Sequence, residues 1–81
     1  MDQHFASLVL GLATQAGQAL DGTLPGLPAG TSPRDAARAL IDTLAMLEAK
    51  TAGHLDDQER QLLSQSLTAL RFRFVQTELK Q

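Results

Sequence analysis

The stretch at residues 53–59 carries the side chains best suited to binding a metal ion. His54 is followed closely by Asp56, Asp57 and Glu59, and imidazole and carboxylate groups are common ligands of divalent cations. Their spacing matches no established metal-binding loop. A helix cap and a favourable interaction with a helix dipole explain the same carboxylates. We therefore expect no bound metal at this stretch.

Catalysis by side chains would require a nucleophile, a nearby base and a group that orients the base. His4 lies near the N-terminus and His54 lies in a turn, and no serine stands in a recognisable elbow or triad motif. The chain has no cysteine. We therefore predict a protein that is not an enzyme, with no catalytic residues and no cofactor.

Basic and aromatic residues alternate from Arg71 to Phe74, and Arg60 precedes them in the same segment. Such an arrangement can bind single-stranded nucleic acid through charge and base stacking. The formal net charge of the chain is −2, however, and no groove-reading or RNA-binding motif accompanies the arginines. The favoured interpretation is that they pair with acidic residues of a neighbouring helix. The alternative is a nucleic-acid accessory protein that uses Arg60, Arg71 and Arg73.

The composition favours one small helical domain over residues 1–81. Seven basic and nine acidic residues leave no positive excess that would attract nucleic acid or an anionic membrane. Isoleucine, valine and aromatic residues are scarce, so a sheet has little material. The uncharged stretch 5–20 follows no basic segment and is too short to span a bilayer. We expect a cytoplasmic protein without membrane contact, because nothing argues for an oxidising compartment.

Apolar residues spaced three and four apart predict a first helix over residues 2–20. Small residues, among them Gly17, form a strip on this helix that we expect to admit the backbone of a neighbour. Leu10 lies at the far edge of the apolar arc and has no obvious cover. Gly22 and the prolines that follow predict a loop at residues 21–32.

A second helix is predicted over residues 33–51. Ser32 suits the N-cap, Pro33 suits the first helical position, and Asp35 lies in the first turn, where the dipole favours a carboxylate. Apolar residues then recur at helical spacing. Arg34 falls on the opposite side together with other charged residues, and we expect it to be solvated.

The turn after the second helix carries dense local signals. Gly53 fits the C′ position, where the backbone favours a positive φ. Asp56 and Glu59 have the spacing of a capping box at the start of a third helix, predicted over residues 57–78. These three residues are therefore predicted to be structural. The short turn makes the second and third helices an antiparallel hairpin, and with the first helix packed along it the predicted fold is all-α.

The third helix has apolar residues on two sides, and a monomer of three helices cannot bury both. One side is a seam with gaps of four and three, formed by Leu63, Leu67, Leu70 and Phe74. Exposed apolar patches usually mark interfaces. We therefore predict an interaction or adaptor module that forms a homo-oligomer, most simply a dimer, or binds an unidentified protein. The candidate interface comprises Leu10, Ala69, Phe72, Val75 and Leu79.

Two segments of the chain match the motifs of one family. FASLVLGLATQA at residues 5–16 is similar to a first helix with the pattern FxxLVxxLAxQA. The run 40–75 is similar to a hairpin with the pattern LIDxLxMLxxKTxGNLxxxExxLL and a closing LRxxYV. His54 stands where asparagine is common, and Phe74 replaces a tyrosine, which removes a hydroxyl. The chain resembles the bacterial domain-of-unknown-function family 1844. The resemblance implies a small soluble bacterial protein and no particular activity.

Overall fold

The computed structural model describes residues 1–79 of the chain, and the side chains of residues 1–77. Its elements are α1 (Gln3–Asp21), α2 (Pro33–Lys50) and α3 (Asp57–Leu79). No strand occurs among the described residues. The prediction of an all-α fold with three mutually packed helices is therefore confirmed, and each helix bound lies within one residue of the predicted one.

Helix α1 is capped at both ends by its own sequence. The side chain of Asp2 accepts a hydrogen bond from the His4 N–H at 2.8 Å, which satisfies a free donor of the first turn. At the other end Gly22 has a φ of 76° and donates its N–H to the carbonyl of Ala19. A left-handed conformation is available to glycine without steric cost, so α1 ends there.

Helix α2 begins as predicted and ends slightly differently. Ser32 Oγ accepts from the Asp35 N–H at 3.0 Å. The cap at the other end is Thr51, whose N–H and hydroxyl both donate to the carbonyl of Leu47. Gly53 has the expected positive φ of 85° but lies two residues after this cap. The prediction that Gly53 occupies C′ is therefore wrong by one position.

Contacts at the helix ends fix the chain directions. The start of α1 lies beside the start of α3, since the N–H of Asp2 donates to Glu59. The end of α1 lies beside the later part of α3, since Asp21 pairs with Arg73. Helices α1 and α3 are therefore parallel, and α2 runs antiparallel to both.

The buried apolar side chains come from all three helices, and they include most of the predicted seam of α3. Phe74, at the end of that seam, is half-buried and packs against the core. The buried apolar side chains among the described residues are Val9, Ala16, Ala19, Ala37, Ile41, Leu44, Leu63, Leu67 and Leu70.

The guanidinium of Arg34 lies over the ring of Phe74, with Cζ 4.2 Å from the ring centroid. Arg34 is half-buried, so the expectation that it would be solvated is wrong. The start of α2 meets the later part of α3 because the hairpin is antiparallel. A guanidinium on an aromatic face covers apolar surface while retaining its charge.

Candidate functional site

Helix α3 carries apolar side chains on two sides, and only the inner side is covered. Leu67, on the inner seam, is 1% exposed. Phe72 is 64% exposed and Val75 is 50% exposed, and Ala69 is exposed as well. Residues three apart neighbour each other along a helix, so Ala69, Phe72 and Val75 form a line that we term the outer strip. Leu79, the fourth predicted member, has a side chain outside the described residues.

Leu10 is 51% exposed and lies on the side of α1 that faces α3. Gly17, two turns later, shares that side of the helix, and a Cβ atom at Gly17 would lie 3.1 Å from Nη1 of Arg73. The small residue therefore admits an arginine side chain, whereas the sequence had led us to expect a neighbouring backbone. Leu10 shares the side of α1 that Gly17 occupies, and Ala69 precedes Arg73 by one turn of α3.

The groove between α1 and α3 is nearly free of formal charge. Helix α1 has no charged residue between Asp2 and Asp21, and Arg73, which reaches into the groove, pairs with Asp21. Four exposed residues of α3 near the outer strip are uncharged, namely Gln61, Gln65, Thr68 and Gln76, whereas the exposed Arg71 lies next to Phe72 and one turn before Val75.

The opposite end of α3 is held by a reciprocal pair of hydrogen bonds. Asp56 Oδ1 accepts from the Glu59 N–H at 2.8 Å, and Glu59 Oε1 accepts from the Asp56 N–H at 2.9 Å. The second carboxylate oxygen of Glu59 accepts from the Asp2 N–H at 3.0 Å. Glu59 is 8% exposed, and it joins the N-termini of α1 and α3, where both helix dipoles favour a negative charge. Both of its oxygens are thus engaged by backbone donors.

The α-amino group of Met1 adds an ion pair to this cluster, with its nitrogen 3.0 Å from Asp56 Oδ2. The hydrogen bond to Asp56 raises the pKa of the amino group above its ordinary value of 8.0. The N–H of Glu59 and then the amino group lower the pKa of Asp56 below its ordinary 3.8. The cluster therefore favours the charged form of both groups.

Neither histidine is brought against the carboxylates in a way that could bind a metal. His4 and His54 are both exposed, and Asp57 pairs with Arg60. Within the part of the chain that the structure describes, no group of three histidine or acidic side chains is placed to hold a metal ion. The acids of this turn act on helix ends and on a neighbouring arginine.

The arginines of the nucleic-acid alternative are partly engaged as well. Arg60 pairs with Asp57, and Arg73 pairs with Asp21, while Arg71 is exposed. Surface ion pairs contribute at most about 1 kcal/mol, but each places a negative charge where a phosphate would have to bind. Two of the three arginines are therefore already paired with carboxylates of this chain.

Comparison with known proteins identifies the family. The family described as a domain of unknown function, DUF1844, matches residues 2–76. The chain belongs to this family. The resemblance drawn from the sequence motifs is thereby confirmed. No curated protein and no solved structure matches the chain.

The region matched to DUF1844 spans α1, α2 and most of α3, and so includes the whole outer strip and Leu10. Among the described residues of this DUF1844 chain, no helix is both long enough and apolar enough to cross a membrane. Membership of a family of unknown function supplies no activity.

A cavity of about 260 Å³ lies beside the α2–α3 turn of this DUF1844 chain, with Leu55 and Leu63 among its lining residues. Glu48 and Arg60 also line it, and both are exposed. Ligand pockets usually measure about 300–1,000 Å³ and place polar groups so that they converge on the ligand. The buried charged side chain of the described residues is Glu59, which does not line the cavity. The cavity therefore lacks the features of a ligand site, and the outer strip is the stronger candidate for a functional site.

Proposed function

We propose that this protein is a non-enzymatic helical interaction module that self-associates, most simply as a dimer, through the outer strip. The observation that carries the proposal is the exposure of Phe72, at 64%. Burying a side chain of this kind contributes about 1.5–3 kcal/mol. Aromatic side chains are also enriched among the residues that dominate interface energies.

The fold itself makes no use of the outer strip. The inner seam of α3 already supplies Leu63, Leu67 and Leu70 to the core, and Phe72 and Val75 lie on the other side of the helix. Their apolar character therefore has no role in closing the three-helix core, which supports a role in binding. A chain of this size also gains stability from association, because a small core supplies only about 3–5 kcal/mol.

We further propose that the protein is cytoplasmic. Binding of an unidentified second protein, for which the dimer would act as an adaptor, is compatible with the proposal. What supports the location is the absence of cysteine from the sequence, since disulfides are common in small domains of oxidising compartments. The nucleic-acid alternative predicts binding that weakens as salt rises. Our proposal predicts no such salt-dependent binding to single- or double-stranded RNA or DNA.

The test compares the unmodified chain with a variant that carries Phe72→Asp and Val75→Asp. Size-exclusion chromatography with light scattering measures the mass, and circular dichroism measures the helix content. We expect the unmodified chain to be a dimer and the variant to associate on the order of 100-fold more weakly, since two apolar contacts become buried charges. Helix content should be nearly unchanged, because both positions are exposed.

The matched control carries Leu8→Asp and Met46→Asp. These side chains are 49% and 48% exposed, so the change in surface apolarity and charge is similar, but neither lies on the outer strip. The control should remain a dimer. Equal loss of association in both variants, or a dimer that survives Phe72→Asp with Val75→Asp, contradicts the assigned face.

A further inference from the structure

Two exposed arginines, Arg38 on α2 and Arg71 on α3, lie on the same side of the bundle. Arg38 lines a cavity of about 120 Å³ together with Ile41, Asp42 and Phe74, so it lies beside the later part of α3. Arg71 precedes Phe74 by three residues, and residues at this spacing are neighbours on the surface of a helix. Both arginines therefore lie near the half-buried ring of Phe74.

The side of α3 that carries Arg71 lies next to α2. Arg60 precedes Arg71 by eleven residues (71 − 60), which is about three turns, so the two arginines share one side of the helix. Arg60 lines the cavity at the α2–α3 turn together with Glu48 of α2. Arg71 therefore lies at the outer edge of the groove between α2 and α3.

The α2–α3 hairpin brings Arg38 and Arg71 to nearly the same level. In an antiparallel pair of helices, residues at one level have numbers with a constant sum. Arg34 lies over Phe74, and the two residues that share the cavity at the turn have the same sum (34 + 74 and 48 + 60 are both 108). The sum for Arg38 and Arg71 is 109, which differs by one residue, or about 1.5 Å along the axis.

Neither Arg38 nor Arg71 forms an ion pair within the part of the chain that the structure describes. The axes of packed helices lie about 8–10 Å apart, so two arginines at one level repel each other. Asp35 and Asp42, three positions before and four after Arg38, are exposed. They partly offset this repulsion without pairing with either arginine. The two guanidinium groups are therefore available to an anion.

We infer that the surface over Phe74, between Arg38 and Arg71, binds an acidic segment of a partner protein, with one carboxylate at each arginine. A guanidinium can donate two parallel hydrogen bonds to a carboxylate, and the ring of Phe74 offers apolar contact between the two charges. The surface adjoins the outer strip but also involves α2. The inference therefore goes beyond the proposed self-association.

The spacing of the charges favours carboxylates over phosphates. A nucleic-acid strand carries a phosphate at every nucleotide, so it would bring negative charges against Asp35 and Asp42 as well as against the arginines. A peptide can carry acids at two positions and neutral residues elsewhere. The net charge of −2 also disfavours a polyanion, and Arg60 and Arg73 are already paired with carboxylates of this chain.

The test uses a short fluorescein-labelled peptide with two glutamates three positions apart in a neutral background. In an extended chain these glutamates are about 10 Å apart, which matches the separation of two packed helices. A second peptide carries glutamine in place of each glutamate. Fluorescence anisotropy measures binding of both peptides to the full chain. We expect the glutamate peptide to bind at least about tenfold more tightly.

Variants of the chain locate the binding surface. Arg38→Gln and Arg71→Gln should each weaken binding of the glutamate peptide about tenfold, and Asp42→Asn should strengthen it about threefold, because a like charge is removed. The matched control is Arg60→Gln, on the same side of α3 but about 16 Å from Arg71. It should leave binding unchanged. Circular dichroism checks that each variant keeps its helix content.

Equal weakening by Arg60→Gln would show attraction by overall charge and overturn the inference, as would equal binding of the two peptides. Single-stranded RNA or DNA of the same length that binds more tightly, through Arg38 and Arg71, would overturn it in favour of nucleic acid. Light scattering on the same samples reports self-association separately. A monomer that binds the peptide overturns only the proposed dimer, and a dimer that does not bind it overturns only this inference.

Discussion

The side chains at the two ends of α3 differ in whether they have partners within the chain. At the N-terminal end, Asp56 and Glu59 find partners within the chain, in each other's backbone and in the first residues of α1. In the later half, Phe72 and Val75 are left mostly exposed. The acidic residues, whose chemical types suggest a binding site, stabilise the fold. The exposed apolar residues make no contribution to the core.

The difference has a physical cause. A carboxylate near a helix N-terminus meets free N–H donors at once, because the first turn leaves them without partners. Burial against other apolar surface is what stabilises an apolar side chain. On α3 the residues of the inner seam already make the contacts with the core. An uncovered apolar strip is therefore stronger evidence of a partner than an acidic turn is of a metal.

The largest expected effect separates the two sides of α3. Leu67→Ala removes a fully buried side chain and should lower the free energy of unfolding by about 2–5 kcal/mol, which is enough to unfold much of so small a domain. Phe72→Ala should leave the stability of the monomer within about 0.5 kcal/mol. Urea unfolding at several protein concentrations measures both quantities.

Association stabilises the folded chain by mass action, so the free energy of unfolding of a dimer rises with protein concentration. In Phe72→Ala we expect this rise to become smaller, while the stability at low concentration stays the same. A loss of the same size at every concentration would show that Phe72 belongs to the core. That outcome would remove the contrast between the two sides of α3.

A smaller effect tests the other end of α3. Glu59→Gln replaces one carboxylate oxygen by an amide donor, so either the Asp2 or the Asp56 N–H loses its acceptor in a buried position. We expect a loss of about 1–3 kcal/mol in the free energy of unfolding. Glu48→Gln makes the same chemical change at an exposed site and should cost less than about 0.5 kcal/mol. Equal effects would show that Glu59 does not join the two helices.

The smallest expected effect is the dependence of stability on pH. The pKa of Asp56 is lowered in the folded state, so its contribution is present above about pH 3.8 and is lost as the pH falls through the folded pKa. The pKa of the Met1 amino group is raised, so its contribution is present below about pH 8.0 and is lost as the pH rises through the folded pKa.

Thermal unfolding of the unmodified chain should therefore show a plateau between these limits. In Asp56→Asn the decline at alkaline pH should largely disappear, because the amino group has lost its carboxylate partner. An alkaline decline that persists unchanged in this variant would mean that another group causes it.

The sequence was sufficient to predict the architecture because its signals are local. Ser32 and Gly22 mark helix ends through bonds to residues a few positions away, and the spacing of the α3 seam identifies the side that enters the core. These interactions need no knowledge of the tertiary fold. For the candidate interface, the structure adds that Leu10, Ala69, Phe72 and Val75 are exposed, and self-association remains a prediction.

What the sequence could not give are contacts between distant segments. Arg34 lies over Phe74 only because the antiparallel hairpin brings the start of α2 to the later part of α3. Gly17 admits Arg73, and Glu59 accepts from Asp2, only because α1 runs parallel to α3 in one register. Helical periodicity gives the direction in which a residue points, and it does not give the height at which a neighbour meets it.

The most direct test of the account is sedimentation equilibrium of the unmodified chain at tens of micromolar. We predict twice the mass of one chain at the upper concentrations, and a shift toward the monomer on dilution that occurs at higher concentration in Phe72→Asp with Val75→Asp. A strict monomer across the whole range would contradict the claim that the outer strip joins two copies of this protein.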